Sequence, residues 1–185
     1  RVTEESLDNK IRLLKEYGGM LILLAMGNEI PKTAEERYAK IMEGIGILEE
    51  NGISRDRVFA DPLVLTIGND KNSSQIVLET VKLLSKEGIK TTMGLSNLSF
   101  GMADRSYLNG AFLAQAIEIG LTSAIMNPYD PFVMGSLTGA LGLNGEKLTK
   151  EGAKLSDNQV VEALLAGDLE LIQDIIDKKL KKSSA

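Results

Sequence analysis

The densest run of small and polar residues in the chain is residues 94–105, Gly-Leu-Ser-Asn-Leu-Ser-Phe-Gly-Met-Ala-Asp-Arg. The amide of Asn97 can donate and accept hydrogen bonds, but a neutral amide cannot serve as an acid. A β-branched run at residues 89–93 precedes this loop and a helical pattern at residues 107–119 follows it, as in a βα unit. Loops at the carboxyl ends of parallel strands carry the chemistry of many folds, although the same residue types also form ordinary turns. Residue types alone therefore leave a site and a turn both open.

The composition restricts the chemistry that this loop could perform. The 185 residues include no His and no Cys, which excludes Ser-His and thiol nucleophiles and argues against zinc or iron–sulfur ligation, so no metal site is predicted. A net charge of −5 argues against nucleic acid or an anionic membrane surface as the main partner. The longest apolar run, residues 20–26, is too short to span a bilayer, and the N-terminus is polar. The predicted location is the cytoplasm.

The first two structural units are predicted from hydrophobic spacing. Apolar residues recur at helical intervals over residues 7–17 and end at Gly18-Gly19, and residues 20–26 follow as a strand buried on both faces. Thr33 and Glu36 form the pattern of a capping box at the start of a helix that ends at Asn51-Gly52. A second strand leads into Asp61-Pro62, and a helix is predicted at about residues 74–87.

Two further units give the fold class. The loop at residues 94–105 and its flanks form the third unit, and a strand at residues 121–127 with a helix at about residues 132–143 forms the fourth, with Asp130 as its cap. This alternation predicts a parallel sheet with right-handed crossovers. About four strands are visible, whereas a complete barrel needs roughly 250 residues. We therefore predict an α/β fold, a partial (β/α)8 TIM-type barrel with Asp61, Asn97 and Asn127 gathered at one rim; the alternative is an open doubly wound sheet.

The loop and its neighbours carry a family resemblance. Residues 94–101 are followed by Asp104-Arg105, then by Leu108-Asn109 and residues 111–113, and similar matches occur at residues 59–63 and 120–128. Together they resemble the signature of the methyltetrahydrofolate:corrinoid methyltransferases. The resemblance implies that residues 1–145 are the second half of a pterin-binding barrel, so that the first half, with further pterin ligands, would lie before Arg1 or on a partner.

The same resemblance implies the site residues. The implied pterin-binding residues are Asp61, Gly94, Ser96, Asn97, Phe100, Arg105 and Asn127. Asn97 is also the implied catalytic residue, since it would hydrogen-bond near N5 while solvent supplies the proton. Asp61 would accept hydrogen bonds from the aminopyrimidine edge of the pterin, or it caps a turn.

Several of these residues have alternative roles. Phe100 would stack on the ligand or fill the core. Arg105 would brace the loop, contact the glutamate tail of the folate, or pair with Asp104 or Glu118. Asn28-Glu29 replaces a more acidic family pattern, which weakens the match to the family in this part of the predicted site.

The implied reaction moves the N5 methyl group of methyltetrahydrofolate to the Co(I) of a corrinoid, or cobalamin, on a separate protein. The predicted partners are that corrinoid protein, the missing N-terminal half of the barrel and a second copy of the chain in a homodimer. A dihydropteroate synthase-like enzyme is a weaker alternative, because its lysine-bearing and Ser-x-Arg loop patterns are not found at the matching places. A non-catalytic pterin-binding or assembly fragment is a third reading.

Residues 146–185 are predicted to be a C-terminal helical extension. Apolar residues at helical spacing lie on both sides of Gly167-Asp168. We favour a closing helix of the barrel over the opening helical segment of a corrinoid-binding protein, which this stretch faintly resembles.

Overall fold

A computed structural model describes residues 2–102 and 105–140, and the predicted extension at residues 146–185 lies outside this part. The described elements are α1 (Glu4–Tyr17), β1 (Leu21–Leu24), α2 (Ala34–Glu50), β2 (Val58–Asp61), α3 (Ser73–Lys86), α4 (Arg105–Glu118) and α5 (Pro131–Ala140), with short 3-10 helices at Arg55–Arg57 and Leu95–Asn97. Alternating α and β elements confirm the α/β class. None of the helices in these ranges is long and apolar enough to cross a membrane.

The chain forms two compact units, which are described separately. Among the described residues, the first unit contains residues 2–63, 79–93 and 120–124, and the second contains residues 64–78, 94–102, 105–119 and 125–140. In the first unit, β1 pairs in parallel with β2, with Leu21 beside Val58. Ala60 of β2 pairs in parallel with Thr91, and Thr91 in turn accepts a hydrogen bond from the amide of Ser123 at 3.0 Å. The segments therefore follow one another in sequence order, as the barrel prediction requires, and closure into a partial barrel stays a prediction.

The third and fourth predicted strands are shorter than expected. Residues 89–93 and 121–127 were predicted to be strands, but they make isolated parallel bridges at Thr91 and Ile125. Beside Thr91 the hydroxyl of Thr122 takes the place of a backbone partner, because its Oγ1 accepts the Thr91 amide at 2.7 Å and donates to the Thr91 carbonyl at 2.6 Å. Side-chain bonds of this kind compete with a regular ladder.

The core of the first unit lies between α1, α2 and the sheet. Its buried apolar side chains include Leu7, Leu23, Ile41, Ile45, Leu48, Val58 and Leu84. A Cβ at Gly44 would lie 2.8 Å from Cδ2 of Leu23, so glycine at this position favours the close packing of α2 on β1. The predicted capping box is confirmed, since the hydroxyl of Thr33 accepts the Glu36 amide and the Glu36 carboxylate accepts the Thr33 amide.

Two predictions about burial in this unit are wrong. The apolar spacing over residues 7–17 predicts that Tyr17 lies on the buried face of α1, but Tyr17 is 75% exposed. Ile22 belongs to the strand predicted to be buried on both faces, but it is 54% exposed. Among the described residues β1 pairs with β2 on one edge only. Side chains of a strand project from the two faces of its sheet, so the exposure of Ile22 shows that the described residues leave this part of one face uncovered.

In the second unit α4 packs against α5. The rings of Tyr107 and Phe132 lie 4.2 Å apart, and Leu108 and Phe112 of α4 are buried. Asp130 caps α5 as predicted, because its Oδ1 accepts the amides of Phe132 and Val133 at 3.0 and 3.2 Å. The cap orients the start of α5.

We expect Gly120→Ala to destabilise the protein by about 2 kcal/mol, because it combines strain with a clash. Gly120 has a φ of +106°, and a Cβ there would overlap the Ser85 hydroxyl and lie 2.8 Å from Ser85 Cβ. Urea denaturation measures the change. Gly52→Ala is the matched control, since Gly52 has a φ of +78° with nothing within 4 Å, and strain alone should cost about 1 kcal/mol. Equal losses in the two variants would contradict the clash.

Candidate functional site

The loop that follows Met93 is a 3-10 turn with a buried side and an exposed side. Leu95 and Leu98 are buried and anchor it, while Asn97 is exposed and Ser96 is partly exposed. The amide of Leu95 donates to the carbonyl of Ile125 at 3.1 Å, and Gly94 pairs with Ile125 in parallel. The polar side chains of the loop are thus presented on a backbone that is tied to the neighbouring segment.

The Asn97 side chain lies directly over Gly94. A Cβ at Gly94 would be 2.9 Å from Nδ2 of Asn97, so glycine is the residue that leaves this space to the amide. In the described part of the chain, no group forms a hydrogen bond with the Asn97 side chain. An exposed amide held in this way can donate from Nδ2 and accept on Oδ1 when a ligand binds.

Arg105 braces the loop, which was one of the roles predicted for it. Its Nη2 donates to the carbonyl of Ser96 at 2.7 Å, and its Nε donates to Oγ of Ser99 at 3.1 Å. The buried hydroxyl of Ser99 donates onward to Oδ1 of Asn109 in α4 at 2.8 Å. Because these bonds tie the loop to α4, the backbone on either side of Asn97 is restrained. Contact of Arg105 with a folate tail stays a prediction.

Phe100 does not fill the core, because its side chain is 70% exposed. The guanidinium of Arg105 lies 5.9 Å from its ring centroid, within the range of a cation–π contact. The carbonyl of Phe100 accepts a hydrogen bond from Thr66 Oγ1 at 3.0 Å. The ring is therefore available at the surface of the second unit, and stacking on a ligand stays a prediction.

Asn127 is exposed and forms a turn. Its Oδ1 accepts the amide of Tyr129 at 3.0 Å, and its carbonyl accepts the amide of Asp130 at 3.3 Å. The turn uses the side-chain oxygen of Asn127. Among the described residues its Nδ2 group makes no hydrogen bond, so this group could donate to a ligand.

From the catalytic role that the family resemblance implies for Asn97, we expect Gly94→Ala to lower methyl-transfer turnover by the full-length protein about tenfold, while the free energy of unfolding changes by less than about 1 kcal/mol. Gly94 has a φ of −77°, which alanine adopts readily, so the new methyl group acts mainly by displacing the Asn97 amide. Steady-state kinetics and urea denaturation measure the two quantities. Gly46→Ala, in α2 with nothing within 4 Å, is the control for an added methyl group. Unchanged turnover in Gly94→Ala would show that the amide position is not critical.

Asp61 lies at the end of β2 in the first unit. Its Oδ1 accepts the Leu63 amide at 2.9 Å, so the turn-forming role is present, while Oδ2 takes no hydrogen bond from the described residues. Burial raises the pKa of the Asp61 carboxyl above its usual range, and the Leu63 amide and the positive charge of Arg37 oppose that rise. A half-buried carboxylate with one oxygen unused is suited to accept hydrogen bonds from a ligand.

The sequence analysis did not identify Arg37 as a candidate residue. In the structure its side chain is buried, with only 1% of the residue exposed. Its Nε donates to the carbonyl of Pro31, and its Nη1 donates to the carbonyls of Pro62 and Leu63 at 3.0 and 2.8 Å. A signal was present, since Arg37 lies four residues before Ile41 and so falls on the apolar stripe of α2. A charged residue on such a stripe needs buried partners.

A groove of about 700 Å³ adjoins the loop that follows β1. Residues 27–32 and α2 side chains of both charges line it, including Glu36, Lys40 and Glu43, and none of the predicted site residues is among them. Of the predicted residues, Asp61 lies in the first unit and Gly94, Ser96, Asn97, Phe100, Arg105 and Asn127 lie in the second.

Comparison with known proteins assigns the chain to a family. The sequence model of the pterin binding enzymes matches residues 2–127, and the chain belongs to this family. The match covers the end of β2, the loop around Asn97 and the segment that ends at Asn127. The predicted family resemblance is thereby confirmed.

Curated relatives agree with this assignment. The chain is 29% identical over 134 residues to a methionine synthase of Mycobacterium tuberculosis, covering 67% of this chain and 11% of the relative. It is 27% identical over 130 residues to a methylcorrinoid:tetrahydrofolate methyltransferase of Eubacterium limosum, covering 68% of this chain and 47% of the relative. A methionine synthase of Mycobacterium leprae is 28% identical over 127 residues, which is 63% of this chain and 10% of the relative. The chain thus spans about half of one relative and about a tenth of the other two.

Proposed function

We propose that the protein containing this chain transfers the N5 methyl group of methyltetrahydrofolate to the Co(I) of a corrinoid carried on a partner protein. The observation that carries this proposal is the exposed Asn97 amide, seated over Gly94 on a loop braced by Arg105, in a chain of the pterin binding enzyme family. The names of the relatives, which pair a corrinoid with tetrahydrofolate or describe methionine synthesis, support the same class of reaction.

The chemistry explains why an amide is useful at this position. When the C–N5 bond breaks, the bonding electron pair stays on N5, so negative charge develops there and must be met by a proton or a donor. Nδ2 of Asn97 would donate toward N5 or toward the water that protonates it, while Oδ1 accepts from that water. Because stabilising N5 lowers the barrier in both directions, the same residue would serve transfer from a methylcorrinoid to tetrahydrofolate, the direction in the name of the Eubacterium limosum relative.

Asp61 would bind the pterin. An ionised carboxylate accepts two hydrogen bonds from the aminopyrimidine edge, and Oδ2 is not engaged by the described residues. Ser96, Phe100 and Asn127 are assigned to the pterin by the family resemblance. The corrinoid, when bound by its own protein, supplies the methyl acceptor, and no residue of this chain is assigned to cobalt.

We also propose that the outer edge of β1 pairs with the remaining strands of a barrel, supplied by further residues of the same protein or by a partner chain. Among the described residues β1 pairs on one edge only, and Ile22 is 54% exposed. An unpaired edge of a parallel strand with exposed apolar side chains favours addition of a neighbouring strand.

The full-length protein tests the function. Mixed with methyltetrahydrofolate and cob(I)alamin, it should convert cob(I)alamin to methylcobalamin, which is followed by absorbance. Tetrahydrofolate binding without any methyl transfer would contradict the proposed methyltransferase activity and would favour a pterin-binding or assembly module. If the protein neither bound tetrahydrofolate nor transferred the methyl group, the proposed function would be wrong.

A further inference from the structure

We propose that Arg37 is a positioning residue, which holds the turn at residues 61–63 so that the carboxylate of Asp61 faces the pterin. This inference rests on the proposed function, since it concerns the same ligand. Arg37 is 1% exposed and belongs to α2, whereas the turn follows β2, so the contact joins distant parts of the sequence within the first unit.

The turn has a conformation that needs external support. Leu63 has a φ of +65°, a left-handed conformation that a leucine side chain disfavours. Such a residue persists where the surrounding structure over-determines it. Here the Leu63 amide donates to Asp61 Oδ1 at 2.9 Å, and the Leu63 carbonyl accepts from Arg37 Nη1 at 2.8 Å. The backbone of Leu63 is therefore held from both sides, by Asp61 and by Arg37.

The guanidinium suits this task better than an ammonium would. Its planar donors reach Pro31 through Nε and the carbonyls of Pro62 and Leu63 through Nη1 at the same time. A lysine carries a compact point charge and lacks the rigid fork. The fork thus links the loop after β1 to the turn after β2, and it sets where the Leu63 amide, and with it Asp61 Oδ1, is found.

The geometry has a consequence for ligand binding. Because Oδ1 is tied to the turn, the orientation of the turn determines where the unused Oδ2 points. Loss of Arg37 should therefore weaken pterin binding through Asp61, and it should leave the chemical step at Asn97 unchanged once the ligand is bound. A residue that only supported the fold would not separate the two effects in this way.

The test measures tetrahydrofolate affinity and single-turnover methyl transfer in the full-length protein. Arg37→Lys and Arg37→Gln should each raise the Kd about tenfold, the loss expected for one charge-assisted hydrogen bond, with the single-turnover rate changed less than about twofold. Arg55→Lys is the matched control, because Arg55 is exposed and binds Glu49 in the same unit. Should Arg37→Gln fail to fold, Arg37→Lys retains the charge and most of the side-chain volume.

A double-mutant cycle with Asp61→Asn identifies the route of the effect. If Arg37 acts through Asp61, then Arg37→Lys should raise the Kd less than about twofold in the Asp61→Asn background. Full additivity, or wild-type affinity in Arg37→Lys, would overturn the inference while leaving the proposed function in place. If the wild-type protein bound no tetrahydrofolate, the proposed function and the inference would both fail.

Discussion

Asn97→Ala should reduce single-turnover methyl transfer about a hundredfold, which corresponds to roughly 3 kcal/mol of lost transition-state stabilisation. The amide is expected to interact more strongly with N5 as the C–N5 bond breaks than with bound methyltetrahydrofolate. The Kd for methyltetrahydrofolate should therefore change far less than the rate. Rapid mixing with cob(I)alamin measures the rate, and a separate titration measures the affinity.

The exposure of Asn97 makes this variant easy to interpret. Its side chain makes no hydrogen bond within the described residues, so truncation leaves no buried partner unsatisfied and the fold should be preserved. Asn51→Ala is the control, since the Asn51 side chain is also exposed and, within the described residues, its Nδ2 donates only to the Ile47 carbonyl at the end of α2. A chemical step that survives Asn97→Ala at full rate would make Asn97 a loop-forming residue.

Asp61→Asn should weaken pterin binding roughly a hundredfold, or about 2.7 kcal/mol, with a smaller effect on the chemical step. The substitution keeps the size of the side chain but removes its charge and replaces one acceptor by a donor, so the aminopyrimidine edge loses its partner. Tetrahydrofolate titration measures the loss. Asp56→Asn, an exposed aspartate just before β2, is the control. Equal affinities in Asp61→Asn and the wild type would remove Asp61 from the site.

If Asp61 binds the pterin as proposed, we expect the pterin affinity to depend on pH. Burial raises the pKa of Asp61, although the Leu63 amide and Arg37 counteract part of this rise. In the proposed site the ionised form accepts the hydrogen bonds of the pterin, so affinity should be retained above the raised pKa and lost as the pH falls through it. The loss should begin at a higher pH than for an ordinary aspartate, and it should be absent in Asp61→Asn. A loss of the same size in Asp61→Asn would assign it to another group.

Local sequence patterns predicted the features that depend on neighbouring residues. The capping box of Thr33 and Glu36 and the cap formed by Asp130 were both predicted, because a cap connects groups two to four positions apart. The α/β alternation and the loop around Asn97 followed from spacing and from the family resemblance. In each case the partners are close in sequence, so the pattern contains the information.

The tertiary structure decided what depends on distant partners. Arg37 donates to the carbonyls of Pro62 and Leu63, which lie 25 and 26 positions away in the sequence, so the identity of these partners could not be predicted from neighbouring residues. The positive φ of Leu63 and the pairing of Thr122 with Thr91 depend on which segments become neighbours. The sequence alone therefore determined the residue types of the candidate site and the caps of its helices. Packing between distant segments decided how Asp61 is held and which side chains replace a regular strand ladder, because those contacts exist only after the chain has folded.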